Sequence, residues 1–147
     1  MKVVHLISTL QIGDAEVVLY ELIKRLDTDK FSQSIIYFQS GSFEKPLKAL
    51  GVPLYKIEGL FFRYDPIFFI RLFLLVRRLD PDCIHTMLFG ANFWGRIVGS
   101  LLGIPSIHTL YEVPFHQGFV KNFLDRLLMR FFPKLNIVAT SDKVAQA

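Results

Sequence analysis

The sequence holds one cysteine, Cys83, so no disulfide can form within the chain. No basic opening followed by an apolar stretch and a small-residue cleavage site marks a secretory leader. Together these absences predict a reducing, cytoplasmic setting. Long apolar runs are missing too. The longest uncharged stretch, Ile97 to Tyr111, is interrupted by Gly103 and Pro105 and falls short of the ~20 apolar residues of a membrane-crossing helix. His5, His85, His108 and His116 lack metal-ligand spacing, and Cys83 has no second thiol for redox chemistry, so no metal and no cofactor is expected. No Gly/Ser linker and no low-complexity segment divides the chain, which predicts one domain over residues 1–147. With 52% hydrophobic and 20% charged residues, the composition is the opposite of a disordered one.

Acidic residues are scarce in one part only. Residues 1–60 carry seven Lys/Arg and seven Asp/Glu, whereas residues 61–147 carry ten and six, so the whole net charge of +4 lies in the second part. An anionic partner should therefore meet that part. Nucleic acid is not expected, because the cations are scattered along Phe-rich segments without a zinc-ligand or RNP-like motif.

What is present alternates between short apolar runs and longer amphipathic ones. Lys2–Ile7, closed by Ser8 and Thr9, reads as a buried strand. After Gly13, the apolar residues Ala15, Val18, Leu19, Leu22, Ile23 and Leu26 recur at helical spacing, with Lys24 and Arg25 near the end where cations suit the helix dipole. Ser34–Phe38 predicts a second strand, Leu47–Leu50 a short helix and Val52–Tyr55 a third strand. Asp65-Pro66 supplies an N-cap and a first-turn proline for a helix over Ile67–Leu79. Strands at Cys83–His85, Ser106–Leu110 and Asn136–Ala139 alternate with helices over Ala91–Leu102 and Phe119–Phe132, and Ser141-Asp142 opens another. Only Arg96 is charged between Cys83 and Tyr111, which places the core there. The alternation predicts an α/β, doubly wound, mostly parallel sheet with helices on both faces, Rossmann-like, and a ligand crevice beyond the carboxyl ends of the strands.

Those ends select the candidates. The loop from Ser8 to Asp14 joins the first strand to the first helix, where free backbone amides can cradle a phosphate. Asp14 also fits the N-cap, which would make this loop structural. His85 closes the fourth strand, either beside the crevice or as a satisfied imidazole under the next helix. His5 and His108, inside strands, read as core. Glu112 and His116 follow the fifth strand, in crevice rim or ordinary solvated loop.

The run Val4-His5-Leu6-Ile7-Ser8, then Gly13-Asp14-Ala15-Glu16, Ala49-Leu50-Gly51-Val52-Pro53 and Leu79-Asp80-Pro81-Asp82-Cys83-Ile84-His85-Thr86 resembles the amino-terminal domain of the family 4 glycosyltransferases. The likeness continues through Ala91-Asn92, Gly95-Arg96, Gly103-Ile104-Pro105 and Val138-Ala139-Thr140-Ser141, and so covers nearly the whole chain. The resemblance implies one half of a GT-B architecture, the acceptor-side domain of a retaining enzyme whose separate carboxyl-terminal domain holds a nucleotide-sugar donor. It implies a phosphate loop at Gly13, Asp14, Ala15 and Glu16, an acceptor pocket including His85, Asn92 and His116, and catalytic groups at Tyr111 and Glu112. Two positions depart from the pattern. Asp14 stands where the family usually has a second glycine, and Tyr111 where it commonly has a histidine.

The stretch from Phe61-Phe62-Arg63 through Phe68, Phe69, Leu72, Phe73, Leu75 and Val76 carries Arg71, Arg77 and Arg78, and Phe119–Lys134 repeats the style. Such helices either line a core or lie on an anionic bilayer. The resemblance implies a glycan or lipid-linked acceptor and self-association through the face a missing donor domain would cover, and these helices add an anionic membrane surface, at its inner face, as a partner. The competing reading is a non-catalytic Rossmann-like binding or scaffold domain.

Overall fold

The computed structural model describes residues 1–58 and 66–110, together with the backbone of a strand at 136–139. Asp65, the Phe61-Phe62-Arg63 stretch, Tyr111, Glu112, His116, the helix expected over Phe119–Phe132 and the start at Ser141-Asp142 lie outside the described residues. The elements run β1 (Lys2–Thr9), α1 (Asp14–Arg25), β2 (Ser32–Gln39), α2 (Glu44–Ala49), β3 (Leu54–Lys56), α3 (Pro66–Leu79), β4 (Cys83–Met87), α4 (Phe89–Leu102), β5 (Ser106–Leu110) and β6 (Asn136–Ala139). All six strands pair in parallel in the order β3-β2-β1-β4-β5-β6. The chain thus starts in the middle of its sheet, winds outward on one side, and returns to wind outward on the other, which is the doubly wound order. The crossover between β1 and β4 creates the switch point where a crevice forms.

Each face of the sheet has its own apolar cluster. On one face Ile7, Ile35, Tyr37 and Met87 meet Ala15, Leu19 and Ile23 of α1 and Leu47 of α2. On the other, Val4, Leu6, Ile36, Phe38 and Ile84 meet Phe68, Leu72 and Val76 of α3 and Phe93, Trp94 and Val98 of α4. Phe68 stands edge-on to Phe38 at 4.7 Å between ring centroids and tilts against Trp94 at 5.6 Å, a geometry that adds to simple burial. The charge-poor segment is the core, as its composition predicts: α4 is buried along Ala91–Arg96 and at Val98 and Gly99. Gly95 lets it sink so far, since a Cβ there would collide with the Thr86 methyl and Leu6.

Two details differ from the periodicity. Val18, expected in the buried stripe of α1, is exposed, and the helix buries Glu16 instead. On α3 the faces divide cleanly: Phe68, Leu72 and Val76 point inward, while Ile67, Ile70 and Leu74 are exposed on the same side of the sheet as Arg71, Arg77 and Arg78. At the far end of the sheet, Lys2 donates its backbone N–H to the Asp82 carboxylate at 2.7 Å and Asp82 donates its own to the Lys2 carbonyl at 2.9 Å, tying the starts of β1 and β4.

Candidate functional site

The loop after β1 is built by short-range bonds. Thr9 Oγ1 accepts the Gln11 N–H at 3.1 Å, and Leu10 is pinned by donating to the Gln39 carbonyl and accepting from the Phe43 N–H, each at 3.0 Å. Gly13, in extended conformation, is the residue that caps α1, and its lack of a side chain leaves the cap without a side-chain bond. Asp14 is the first helical residue and not the N-cap that its residue type suggested. Its carboxylate is exposed. Glu16, two residues on, is only 3% exposed, and its carboxyl curls back over the helix start: a Cβ on Gly13 would lie 2.7 Å from Glu16 Oε2. Burial, then the Asp14 charge, raise the Glu16 pKa, opposed by a hydrogen bond from its own backbone N–H. A helix start that attracts anions therefore already has two carboxyls in its first turn.

The start of α4 is assembled differently. Leu88 turns the chain with φ 71° and ψ 156°, a region costly for any residue with a side chain. Ser8, from the end of β1, reaches across and accepts the Ala91 N–H at 2.8 Å. One of the orphan amides of α4 is thus satisfied by a neighbouring strand instead of by a local cap. Gly90 gives the hydroxyl room, since a Cβ there would sit 2.9 Å from Ser8 Oγ. The ends of β1 and β4 are thereby held together at the switch point.

His85 lies inside β4, which continues to Met87, and not at the strand's end. Its Nδ1 is 3.0 Å from His5 Nδ1 and its Nε2 is 2.9 Å from Thr109 Oγ1. His5 continues to Gln33 Oε1 at 3.3 Å, and Gln33 donates to the Ile23 carbonyl at 3.3 Å. Burial lowers the pKa of His85 to about 4, and burial with the neighbouring His85 lowers that of His5 to about 3. On the opposite face, Asn92 accepts from the Thr86 hydroxyl at 2.5 Å and donates to the Thr109 carbonyl at 3.2 Å. His108 lies between Thr86 Oγ1, at 2.5 Å, and Ser106 Oγ, at 2.9 Å. Burial and then the Arg96 guanidinium lower its pKa to about 3. The core reading of His5 and His108 agrees with this placement. His85 and Asn92, paired in sequence reasoning as pocket residues, meet instead at a third residue, Thr109, which that reasoning passed over.

The missed signal is a repeat. Ile84-His85-Thr86 and Ile107-His108-Thr109 are the same triplet in neighbouring strands, paired one residue out of step, His85 beside Ile107 and Thr86 beside His108. The offset sends the two imidazoles to opposite faces, each toward the other strand's threonine. Among the described residues no cluster of three or more His, Cys, Asp or Glu is arranged to hold a metal ion.

The sheet order and the loops at its switch point define a Rossmann-like domain of the GT-B type. The family model for Glycosyltransferase Family 4 matches residues 15–147. The chain belongs to that family and has the fold of its amino-terminal domain. No curated protein is significantly similar in sequence. Among solved structures, HepE of Anabaena in complex with UDP and glucose superposes with a TM-score of 0.81 at 18% identity, covering 99% of this chain and 40% of HepE. MnaA of S. aureus with UDP gives 0.66 at 13% identity, covering 99% and 40%, and MurG of Acinetobacter baumannii 0.63 at 19%, covering 85% and 38%. At these identities the likeness is one of fold, and the chain spans about 40% of the length of HepE.

Proposed function

We propose that this chain is the acceptor-side domain of a nucleotide-sugar-dependent glycosyltransferase that moves a sugar onto a glycan or glycolipid with retention of anomeric configuration. The observation that carries the reading is the switch point of a Family 4 chain, where Ser8 near the end of β1 holds the start of α4 and Asn92 of α4 holds Thr109 near the end of β5. In this reading Gly13, Asp14, Ala15 and Glu16 border the donor phosphates, Tyr111 and Glu112 are the catalytic groups, and His116 belongs to the acceptor pocket. Asn92 and His85 support the acceptor wall. A phenol of ordinary pKa near 10 is a weak base at neutral pH, so Tyr111 serves as a hydrogen-bond donor to a sugar or phosphate oxygen. The base and ribose contacts of a nucleotide sugar belong to a second domain, and the chain by itself transfers no sugar. UDP in the HepE and MnaA structures supports a nucleoside diphosphate as the donor's leaving group.

Repulsion decides what this loop can hold. Two like charges ~4 Å apart oppose each other by about 1 kcal/mol in water and several-fold more in a dry cleft, and the α1 start presents two carboxyls. Binding of a nucleoside diphosphate should therefore be millimolar or poorer, on the order of −4 kcal/mol. Asp14→Gly should tighten it. Calorimetric titration with a panel of nucleoside diphosphates is the test: micromolar binding by the unmodified chain, or no gain in the variant, contradicts this account of the loop.

The lipid-linked class of acceptor is favoured by α3. Its outer face presents Ile67, Ile70 and Leu74 beside Arg71, Arg77 and Arg78, and the helix contains no acidic residue. Apolar anchors flanked by cations suit the headgroup layer of an anionic bilayer. No helix among the described residues is long and apolar enough to cross a membrane.

A further inference from the structure

The two histidine chains run in one direction each, and the chemistry of their end groups fixes which. Gln33 Nε2 donates to the Ile23 carbonyl, which leaves the amide oxygen Oε1 facing His5 Nε2. An amide oxygen only accepts. His5 must then carry its proton on Nε2 and offer Nδ1 as an acceptor, so His85 donates through Nδ1 at 3.0 Å. The remaining lone pair of His85, on Nε2, accepts the Thr109 hydroxyl. On the other face, the Thr86 hydroxyl spends its single proton on Asn92 Oδ1, so its oxygen accepts from His108 Nδ1. His108 Nε2 then accepts from Ser106, and Asn92 passes its amide proton to the Thr109 carbonyl. Reversing either chain would set donor against donor or lone pair against lone pair at a buried link, and a buried polar group left unpaired costs about 1–3 kcal/mol.

Both chains end on one residue. We infer that Thr109 is the joint that fixes the carboxyl end of β5, gripped through its hydroxyl from one face and its carbonyl from the other, and that His85, Asn92 and Thr109 are positioning residues for Tyr111 and Glu112. Its functional side rests on the reading that Tyr111 and Glu112 serve sugar transfer. The joint itself rests only on the geometry. Thr109 is buried, as are His5, His85, His108, Thr86 and Asn92, so water does not compete for these bonds. Tyr111 follows Thr109 by two positions in the sequence, and whatever orients the Thr109 peptide sets the direction in which β5 ends at Leu110.

The experiment is long-range proton–nitrogen correlation on the full chain with labelled histidine, which reports the tautomer of each ring. Expected are Nε2–H for His5, Nδ1–H for His85 and Nδ1–H for His108. Thr109→Val removes the hydroxyl while keeping the carbonyl and the shape. It should shift His85 Nε2 toward an unbonded nitrogen, move the Tyr111 ring resonances, and speed exchange of the Leu110 amide about fivefold, the factor that one hydrogen bond of about 1 kcal/mol supplies. Thr109→Ser should restore all three. Val98→Ala, a core truncation on α4, should leave the Tyr111 resonances unmoved, which separates positioning from general loosening. Should the valine variant fail to fold, the tautomers of the unmodified chain and of Thr109→Ser still decide. An Nε2–H tautomer at His85 overturns the joint, and so does a folded Thr109→Val in which Tyr111 and Leu110 are unaffected. Neither result bears on nucleotide binding, so the transfer reading and the joint fail separately.

Discussion

Acidification should unfold this domain well above the pH at which carboxylates protonate. Burial holds His5 and His108 at a pKa of about 3 and His85 at about 4 in the folded chain, against 6.5 when the chain is unfolded. The unfolded chain therefore binds protons that the folded chain refuses. Stability is full above pH 6.5 and falls as the pH drops toward 4 and 3. Each imidazole contributes a slope approaching 1.4 kcal/mol per pH unit in that window, so at pH 5 each costs about 2 kcal/mol and the three together about 6 kcal/mol. A loss of that size rivals the 5–15 kcal/mol by which typical domains are stable at all. Among the described groups facing these rings the Gln33 amide alone favours a charge, on His5, and burial outweighs it; the Arg96 guanidinium opposes a charge on His108, and a charge on either of His5 and His85 opposes one on the other. Glu16, with a raised pKa, works in the opposite sense as pH falls, yet it is one group against three. Urea titration followed by the fluorescence of buried Trp94 measures this directly. The midpoint should drop steeply between pH 7.5 and pH 5 at unchanged slope. A midpoint constant over that range would refute the buried, neutral state of the histidines.

Other outcomes follow from the packing and the charges. Phe68→Ala empties the contact between Phe38 and Trp94 and should cost about 3–5 kcal/mol by the same urea assay. Gly95→Ala should destabilise by about 1–3 kcal/mol, because the Thr86 methyl and Leu6 occupy the space and Thr86 is held in its hydrogen-bond chain. If α3 contacts lipid, the chain should sediment with anionic vesicles and be released by salt, which screens such attraction over ~8–10 Å at physiological strength. Reversing Arg77 and Arg78 should weaken sedimentation, and equal recovery with neutral vesicles would defeat the proposal. Light scattering at high concentration should show self-association through the strand-end face, and a monodisperse monomer without dye binding would contradict it.

The sheet was legible in the sequence because its strands are short, nearly uncharged runs between turn residues, as expected of parallel strands covered on both faces. The helix bounded by Asp80-Pro81 and the strands Ser106–Leu110 and Asn136–Ala139 appear where the pattern puts them. Local rules failed where tertiary contacts override them. Asp14 has the residue type of an N-cap, yet Gly13 takes that position. Glu16, expected in a phosphate loop, is buried at the helix start, while apolar Val18 faces outward. The hydrogen-bond chains were hidden because residue type shows that a histidine is buried and not what it touches. The one-residue offset between the two Ile-His-Thr triplets is a property of strand pairing, which no single strand records.

Saturation-transfer NMR on the 147-residue chain, with separate panels of glycans, lipid-linked sugars and nucleoside diphosphates, tests the acceptor-side assignment most directly. The account predicts transfer of saturation to a glycan or lipid-linked sugar and little to any nucleotide. Strong transfer to a nucleoside diphosphate with none to any sugar acceptor would contradict it and place the donor on this domain instead.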